Sequence, residues 1–268
     1  MGRGSETGIV HADELPLHKV VLSPFYIDRT PVTYEKFRQF VQETDYTTDA
    51  EKQGFAMYFE EGYRDFTWKP RKGRSFRNPF EDSFDMKEMP VVNISWQDAV
   101  NFCNHYEKRL PTEAEWEFAA RAGREKTRFP WGDELYPEGK IMGNHWQGAV
   151  DEKGKDHFKN LNTDGFMFLS PVRAFPPNRY GIYDMVGNVW EFTSDWYSPE
   201  YYAYSRSHFP DGIKNPDGPE HGQKKVTRGG SWWCSEKTCT GFGLYLRGKI
   251  KPDLSFPNLG FRCAKDAR

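Results

Sequence analysis

The chain of 268 residues has a formal net charge of −2 and is 37% hydrophobic, so its composition gives no reason to expect a nucleic-acid partner or an anionic membrane surface. No apolar run of about 18 residues is present, which excludes a transmembrane helix on sequence grounds. Aromatic residues make up 16% of the chain, with nine tryptophans, 24 glycines and 18 prolines. This combination predicts a loop-rich α+β fold with low regular secondary structure, whose small cores are filled by large rings.

The first 90 residues predict two short strands and a helix. We expect strands at 18–22 and 24–28, where apolar and β-branched residues follow one another. Thr33 is a suitable N-cap for the helix that follows. The apolar face of this helix is formed by Phe37, Phe40 and Val41. Residues 45–90 are rich in rings and punctuated by glycine and proline, which indicates an ordered excursion within one domain rather than a linker.

Two better-defined helices follow, each opened by a capping box. Ser95 with Asp98 and Thr112 with Glu115 have the required spacing, and Gly123 is placed to end the second helix. The first of these helices is expected to bury Ala99, Phe102, Cys103 and Tyr106. Beyond residue 124, dense turn signals predict short strands and loops.

Cys234 and Cys239 are the most suggestive pair of reactive residues. Two thiols five positions apart can reach one small ion or bond to each other, and soft thiolates favour Cu(I), zinc or iron–sulfur clusters. No histidine lies between them, so a four-ligand zinc site has no local support. Two-coordinate Cu(I) needs only the two sulfurs. Spacing alone leaves a local disulfide, or two unrelated buried thiols, as the commoner outcome.

Oxygen ligands that suit a hard cation such as Ca²⁺ occur in two places. Asp184 and Glu191 flank Gly187 in a loop-like run, and Asn144 with Asp164 could form another site. Taken alone, the first pattern is more simply explained by a turn with two solvated acids, and the second is a weak signal.

The remaining cysteines, Cys103 and Cys263, leave two interpretations open. In an oxidising compartment they could form a disulfide that ties the C-terminal segment to the core. Otherwise they are two buried apolar thiols. A disulfide would favour an extracytoplasmic location, with the targeting segment outside this chain.

Several longer motifs occur in order along the chain. They are Leu110–Gly123, Phe129–Gly132, Asn144–Gly148, Val186–Glu191, Arg228–Ser231 and Asn258–Cys263. In this order they resemble the formylglycine-generating enzyme (sulfatase-modifying factor) family over nearly the whole chain. The resemblance implies one domain over residues 1–268 with an irregular C-type-lectin-like α+β fold, lacking the first strand that family members usually have.

The resemblance also implies two structural Ca²⁺ sites and a disulfide. The first calcium site would be formed by Asn144, Asp164 and the carbonyls of His145 and Phe166. The second calcium site would be formed by Asp184, Glu191 and the carbonyls of Gly187 and Val189. Cys103 and Cys263 match the positions of a family disulfide.

The implied reaction is a copper-dependent oxidation, by O₂, of a cysteine to formylglycine in an extended Cys-x-Pro-x-Arg peptide, such as an unfolded sulfatase segment. Cys234 and Cys239 would hold Cu(I), and Ser231 would hydrogen-bond near the substrate or bound oxygen. Trp190 and Trp233 would wall the substrate groove.

Three features depart from the members that act on sulfatases. Ser235 stands where they carry histidine, Thr238 where they carry tyrosine, and 241–243 (Gly-Phe-Gly) where they carry an Arg-aromatic-Arg run. The lost charges and rings indicate a different peptide or a small thiol substrate.

Two other functions are weighed against this oxidase. The main alternative is a non-catalytic, C-type-lectin-like binding or regulatory member in which Cys234 and Cys239 are disulfide-bonded or inert. An iron-dependent sulfur-transfer oxygenase ranks lowest, because the histidine-rich helical domain that such enzymes need is not in this sequence.

Overall fold

The computed structural model describes residues 1–3, 10–59, 68–81, 85–147, 162–235 and 242–267. Within these ranges the helices are α1 (Tyr34–Thr44), α2 (Asp49–Gln53), α3 (Trp96–His105), α4 (Glu113–Arg121) and α5 (Tyr201–His208). The strands are β1 (Val20–Val21), β2 (Phe25–Ile27), β3 (Phe55–Phe59), β4 (Trp68–Lys72), β5 (Trp190–Trp196), β6 (Ile213–Lys214), β7 (Lys225–Arg228), β8 (Arg247–Ile250), β9 (Leu259–Gly260) and β10 (Ala264–Asp266). Short elements joined by long loops confirm the predicted irregular α+β class.

A four-stranded sheet in the order β8-β7-β5-β9 lies at the centre of the fold. Strand β5 runs antiparallel to β7, with Glu191 opposite Arg228, and parallel to β9, with Glu191 opposite Gly260. The described residues also form three two-stranded ladders: β1 with β6, β2 with β10, and β3 with β4. Strands β9 and β10 therefore bring the C-terminal segment back beside β5 and β2.

The helix starts follow the local rules that the sequence displays. The Ser95 side chain accepts a hydrogen bond from Asp98 N (3.1 Å) while Asp98 accepts one from Ser95 N (2.8 Å), and Thr112 with Glu115 forms the same reciprocal pair. Both predicted capping boxes are therefore confirmed. Helix α4 ends one residue earlier than expected, because Ala122, at φ 47°, takes the left-handed C-cap position before Gly123.

The largest core cluster is aromatic. The Phe37 ring of α1 stacks on Phe102 of α3 at 5.7 Å between centroids, and Phe261 packs edge-on against both rings. Cys103 and Cys263 form a disulfide inside this cluster, and both are fully buried. Tyr106 was expected on the same buried face but is 37% exposed, because it caps α3 rather than lying within it.

The stretch 45–90 contains more regular structure than its composition suggests. It holds α2 and the β3–β4 hairpin, in which Met57 lies opposite Pro70. Tyr58, Phe59 and Phe80 pack into a second aromatic cluster with Trp232 and Trp233, whereas Phe76 belongs to the largest core cluster. None of the described helices is both long and apolar enough to cross a membrane.

Candidate active site

Cys234 and Ser231 lie next to each other in the turn that follows β7. The Ser231 Oγ atom is 3.6 Å from Cys234 Sγ, and both residues are fully buried. The described structure contains no disulfide at Cys234. The backbone hydrogen bond from Cys234 N to Ser231 O, 2.9 Å long, closes the turn. The serine is therefore in direct contact with the sulfur to which the sequence assigned the chemistry.

Two glycines make this turn possible. Gly229 and Gly230 have φ values of 98° and 75°, which residues other than glycine rarely adopt. A Cβ atom on Gly230 would lie 2.8 Å from Cβ of Phe242, and one on Gly229 would lie 2.9 Å from the carbonyl oxygen of Met185. The Gly-Gly-Ser sequence thus lets the chain turn sharply after β7 and bring Ser231 to Cys234.

Asn258 begins the motif Asn258–Cys263, has no predicted role of its own and completes this group. Its Nδ2 donates to Ser231 Oγ at 3.1 Å, and its carbonyl oxygen accepts from Trp190 N at 2.9 Å. The contact with Ser231 joins residues 27 positions apart, so neither spacing nor periodicity reveals it. The second predicted sulfur ligand, Cys239, lies outside the described residues, as do Thr238 and Gly241.

The two tryptophans predicted to wall a groove lie in different environments. Trp190 is half-buried and packs against the core cluster that contains Cys234. Trp233 is 8% exposed, and its ring packs against Phe59, at 4.7 Å between centroids, and against Trp146, at 5.2 Å. In the described structure Trp233 is therefore a core ring. A substrate can reach the buried Cys234 sulfur only if neighbouring residues move.

The first predicted calcium site is brought together by the fold. Asn144 is buried, and its Nδ2 donates to Phe168 O at 2.7 Å, while its Oδ1 is buried without a hydrogen-bond partner. Asp164 Oδ1 accepts from Phe166 N at 3.0 Å, and its Oδ2 is likewise buried without a partner. Burial raises the pKa of Asp164, while the amides of Phe166 and His145 act in the opposite direction.

Asn144 and Asp164 each have one buried acceptor oxygen without a hydrogen-bond partner, and an oxygen-seeking cation would satisfy such atoms, because a buried polar atom without a partner is costly. The carboxylate of Asp164 faces the backbone at His145, next to Asn144. These residues therefore fit Ca²⁺. Among the described residues, no group of three or more His, Cys, Asp or Glu side chains is positioned to hold a metal, so carbonyl and amide oxygens would have to complete such a site.

The second predicted calcium site is already partly engaged within the protein. Both oxygens of Glu191 accept from Arg262, at 2.7 Å each, and Oε2 also accepts from Trp116 Nε1 at 2.8 Å. Asp184 Oδ2 accepts from Arg173 N at 2.9 Å, and burial raises the pKa of Asp184 to about 6. With Arg262 neutralising Glu191, this set fits a divalent cation less well than the first.

The loop that carries the second set packs tightly against the first set. Asn188 N donates to Asn144 O at 2.8 Å, and a Cβ atom on Gly187 would lie 2.3 Å from that same oxygen. Gly187 is at φ 85°, so two separate constraints require glycine there. The carbonyls of Gly187 and Val189 therefore belong to a loop that is held against the residues of the first site.

A buried network of charged side chains connects β7 and β8 to helix α4, next to the turn that carries Ser231. Arg228 is fully buried and donates to Glu113 at 3.0 Å and to Glu117 at 2.7 Å, and Arg247 donates to both oxygens of Glu113. Opposing charges hold the pKa of Glu117 down at about 2 even though it is buried. Because Arg228 directly precedes the Gly-Gly-Ser turn, this network fixes the turn's starting point.

Comparison with known proteins shows the family of the chain. The family model described as a sulfatase-modifying factor enzyme 1-like domain matches residues 1–267. The chain belongs to the formylglycine-generating enzyme (sulfatase-modifying factor) family. A mouse formylglycine-generating enzyme is 39% identical over 269 residues, which cover 94% of this chain and 69% of that protein.

Two further comparisons set the limits of what the family membership says. A mouse protein named inactive C-alpha-formylglycine-generating enzyme 2 is 36% identical, over 95% of this chain and 79% of its own length. Overall identity therefore does not separate active from inactive members. PvdO from Pseudomonas aeruginosa has the same fold, with a TM-score of 0.73 at 24% identity, over 100% of this chain and 90% of that one.

Proposed function

We propose that this chain is a copper-dependent oxidase that converts a peptide cysteine to formylglycine with O₂. The observation that supports this most directly is the contact between the buried Cys234 thiol and Ser231, at 3.6 Å, within a chain of the formylglycine-generating enzyme family. Cys234 and Cys239 would hold Cu(I) as thiolates. The sulfur of Cys234 is buried and contacted by the Ser231 hydroxyl, and a soft sulfur ligand of this kind fits a soft monovalent metal.

Copper bound at these sulfurs would supply the one-electron steps that a closed-shell thiol lacks in its reaction with triplet O₂. The chain's own residues prepare the position. The Ser231 hydroxyl contacts the sulfur, and Asn258 holds that hydroxyl. Phe242, Leu244 and Met185 pack in the same cluster as Cys234 and exclude water from it. A dry site strengthens every polar contact made within it.

The reaction must balance in electrons. Conversion of a CH₂SH group to an aldehyde, with sulfur leaving as hydrogen sulfide, removes two electrons from the substrate. Reduction of O₂ to the level of water takes four, so an external thiol reductant must supply the other two. In the net reaction, the two reduced oxygen atoms are accounted for by the aldehyde oxygen and by one molecule of water.

Calcium would have a structural role at the first site. Asn144 and Asp164 would turn their orphaned oxygens to the cation, and the carbonyls of His145 and Phe166 would complete the shell. Binding there would join the loop before residue 147 to the segment after residue 162. The loop is in turn bonded to Asn188, so the calcium site supports the chain that leads into β5.

The substrate is proposed to differ from the peptides of sulfatase-directed members. Gly243 has φ 145°, and a Cβ atom there would lie 2.7 Å from the carbonyl oxygen of Arg128, so the backbone path leaves no room for an arginine. Phe242 turns inward and packs against His145 at 4.9 Å between centroids. The described part of 241–243 therefore offers neither positive charge nor exposed ring to a peptide.

The test uses copper-loaded protein, O₂ and a thiol reductant. Peptides containing Cys-x-Pro-x-Arg, and matched peptides with the arginine replaced, are followed by mass spectrometry. We expect thiol-to-aldehyde conversion that is lost in Cys234→Ser and that depends weakly on the peptide arginine. Binding of one Cu(I) per chain, lost in the same variant, is the second readout. Copper-loaded protein that leaves every cysteine peptide unchanged would contradict the oxidase.

A non-catalytic binding member is the second candidate. The observations that favour it are the inactive mouse relative at 36% identity and the complete burial of Cys234. In that case neither Cu(I) binding nor peptide oxidation should respond to Cys234→Ser. The same experiment therefore decides between the two functions.

A further inference from the structure

Among the described residues, the Ser231 hydroxyl has three neighbours at hydrogen-bonding distance. Trp233 N lies at 3.3 Å, Asn258 Nδ2 at 3.1 Å and Cys234 Sγ at 3.6 Å. Ser231 itself is fully buried, so no bulk solvent competes for these positions. The direction of each hydrogen bond follows from what each neighbour is able to do.

Two of the three neighbours can only donate. A backbone N–H and an amide NH₂ carry hydrogen and no available lone pair, whereas a serine hydroxyl has one hydrogen and two lone pairs. The N–H of Trp233 and the NH₂ of Asn258 therefore use both lone pairs of Ser231 Oγ. The hydroxyl hydrogen is left for the third neighbour, the sulfur.

We infer that Asn258 is a positioning residue that directs the Ser231 hydroxyl to donate its hydrogen bond to the sulfur of Cys234. If the amide oxygen of Asn258 faced Ser231 instead, the hydroxyl would donate to that oxygen and the sulfur would lose its donor. The orientation of one buried amide thus sets the direction of the serine–cysteine contact.

The backbone around Asn258 is held on both sides. Its carbonyl oxygen accepts from Trp190 N at 2.9 Å, and the preceding carbonyl, of Pro257, accepts from Trp232 Nε1 at 3.2 Å. Strand β9 begins at the next residue and pairs with β5. The backbone of Asn258 is therefore held in place by the sheet and by Trp232, independently of Ser231.

The significance of this donor rests on the proposed function. An O–H group aimed at sulfur stabilises electron density there, and it does so most in a site without water. If Cys234 acts as a sulfur ligand, Asn258 contributes through Ser231 without touching the reacting atoms.

The S–H stretching band in Raman spectra of the metal-free protein tests the inference. In a Cys239→Ser background with the disulfide intact, Cys234 is the one remaining thiol of the four cysteines. Asn258→Asp replaces the donor by an acceptor, so the Ser231 hydroxyl turns to the new carboxylate and the Cys234 S–H becomes free to donate to Ser231 Oγ. We expect the S–H band to move to lower frequency, because donation weakens the S–H bond.

A second variant keeps the test decisive if Asn258→Asp does not fold. In Ser231→Ala the band should move little, because the S–H does not donate to Ser231 in the parent protein. The matched control is Asn101→Asp, which makes the same change on α3, where Asn101 donates to Tyr46; it should leave the band in place. An unmoved band in folded Asn258→Asp, or an upward shift in Ser231→Ala, would overturn the inference.

These outcomes are separate from the fate of the proposed function. The Raman measurement uses no copper, O₂ or peptide. A protein that fails to oxidise any peptide but shows the expected band shifts would keep the hydrogen-bond assignment and lose the oxidase.

Discussion

Arg262 and Glu191 form a fully buried ion pair in which two parallel hydrogen bonds, Nε to Oε2 and Nη2 to Oε1, are each 2.7 Å long. Arg262 also donates to the carbonyl oxygens of Asp28, Tyr183 and Asp184. One guanidinium therefore joins β5, the segment after β9, the end of β2 and the loop before residue 187.

Removing one member of this pair should destabilise the fold strongly. Arg262→Met leaves Glu191 charged and buried without its partner, and we expect a loss of about 3–5 kcal/mol in the free energy of unfolding, measured by urea denaturation. The matched control is Arg38→Met, since Arg38 pairs with Glu35 on the exposed face of α1 and should change little. Equal effects of the two substitutions would contradict the assigned role of Arg262.

Calcium dependence should be traced to Asp164. Chelation of Ca²⁺ from the wild-type protein should lower Tm, because a ligand bound about 100-fold above its Kd contributes about 3 kcal/mol. In Asp164→Asn the drop on chelation should shrink, since one orphaned oxygen no longer carries charge. Glu191→Gln is the informative control, because it acts through Arg262 and should lower Tm with or without calcium. A chelation effect of unchanged size in Asp164→Asn would remove calcium from the first site.

Asp195 should make stability depend on pH. Burial, followed by the charge of Glu113, raises the pKa of Asp195 to about 7 from its ordinary 3.8. The folded state therefore keeps a proton that the unfolded state releases. The contribution of this proton to the free energy of unfolding is complete below about pH 4 and is lost as pH rises through 7. Asp195→Asn keeps an acceptor for Glu113 N and removes the titrating group.

The difference in unfolding free energy between Asp195→Asn and wild type should therefore grow in favour of the variant between pH 4 and 8. Raising the pKa of one group by about three corresponds to a change of at most about 4 kcal/mol in the free energy of unfolding. The surface control Asp211→Asn removes the same charge from an exposed position. If both variants follow the wild-type pH profile, Asp195 is not the group responsible.

The Cys103–Cys263 disulfide should contribute substantially to stability. It joins residues 160 positions apart and lies in the aromatic core. Changing both cysteines to alanine should cost about 2–5 kcal/mol, measured as a fall in the denaturation midpoint under non-reducing conditions. Reducing agent should bring the wild type to the level of the variant. A reduced wild type as stable as the oxidised one would contradict this contribution.

The features that the sequence predicted well are those decided within a few residues. The capping boxes at Ser95 and Thr112 depend on partners three positions away, and both formed as expected. The ordered motifs also sufficed for the family and the fold. By contrast, Arg228 meets Glu113 across 115 positions and Glu117 across 111, and no local pattern specifies such partners.

The same reason explains the partial success at the candidate site. Ser231 and Cys234 are three residues apart, and both were predicted to belong to the site, Ser231 as a hydrogen-bonding group near the substrate or bound oxygen; its direct contact with the Cys234 sulfur was not predicted. Asn258 reaches them from the position just before β9, and the engagement of Glu191 by Arg262 depends on the parallel pairing of β5 with β9. Charge pairing across the sheet therefore changed the expected environment of the second calcium site.

The C-terminal segment pairs with segments that come much earlier in the sequence. Strand β10 pairs with β2, Cys263 is bonded to Cys103, and Asn258 reaches Ser231. During synthesis, the pairing of β2 with β10 and the contact of Ser231 with Asn258 can therefore form only after residues 258–266 have left the ribosome. Such late, distant pairing slows folding and prolongs exposure of aromatic surface, so yield in cells should depend on chaperones and on the supply of oxidant for the disulfide.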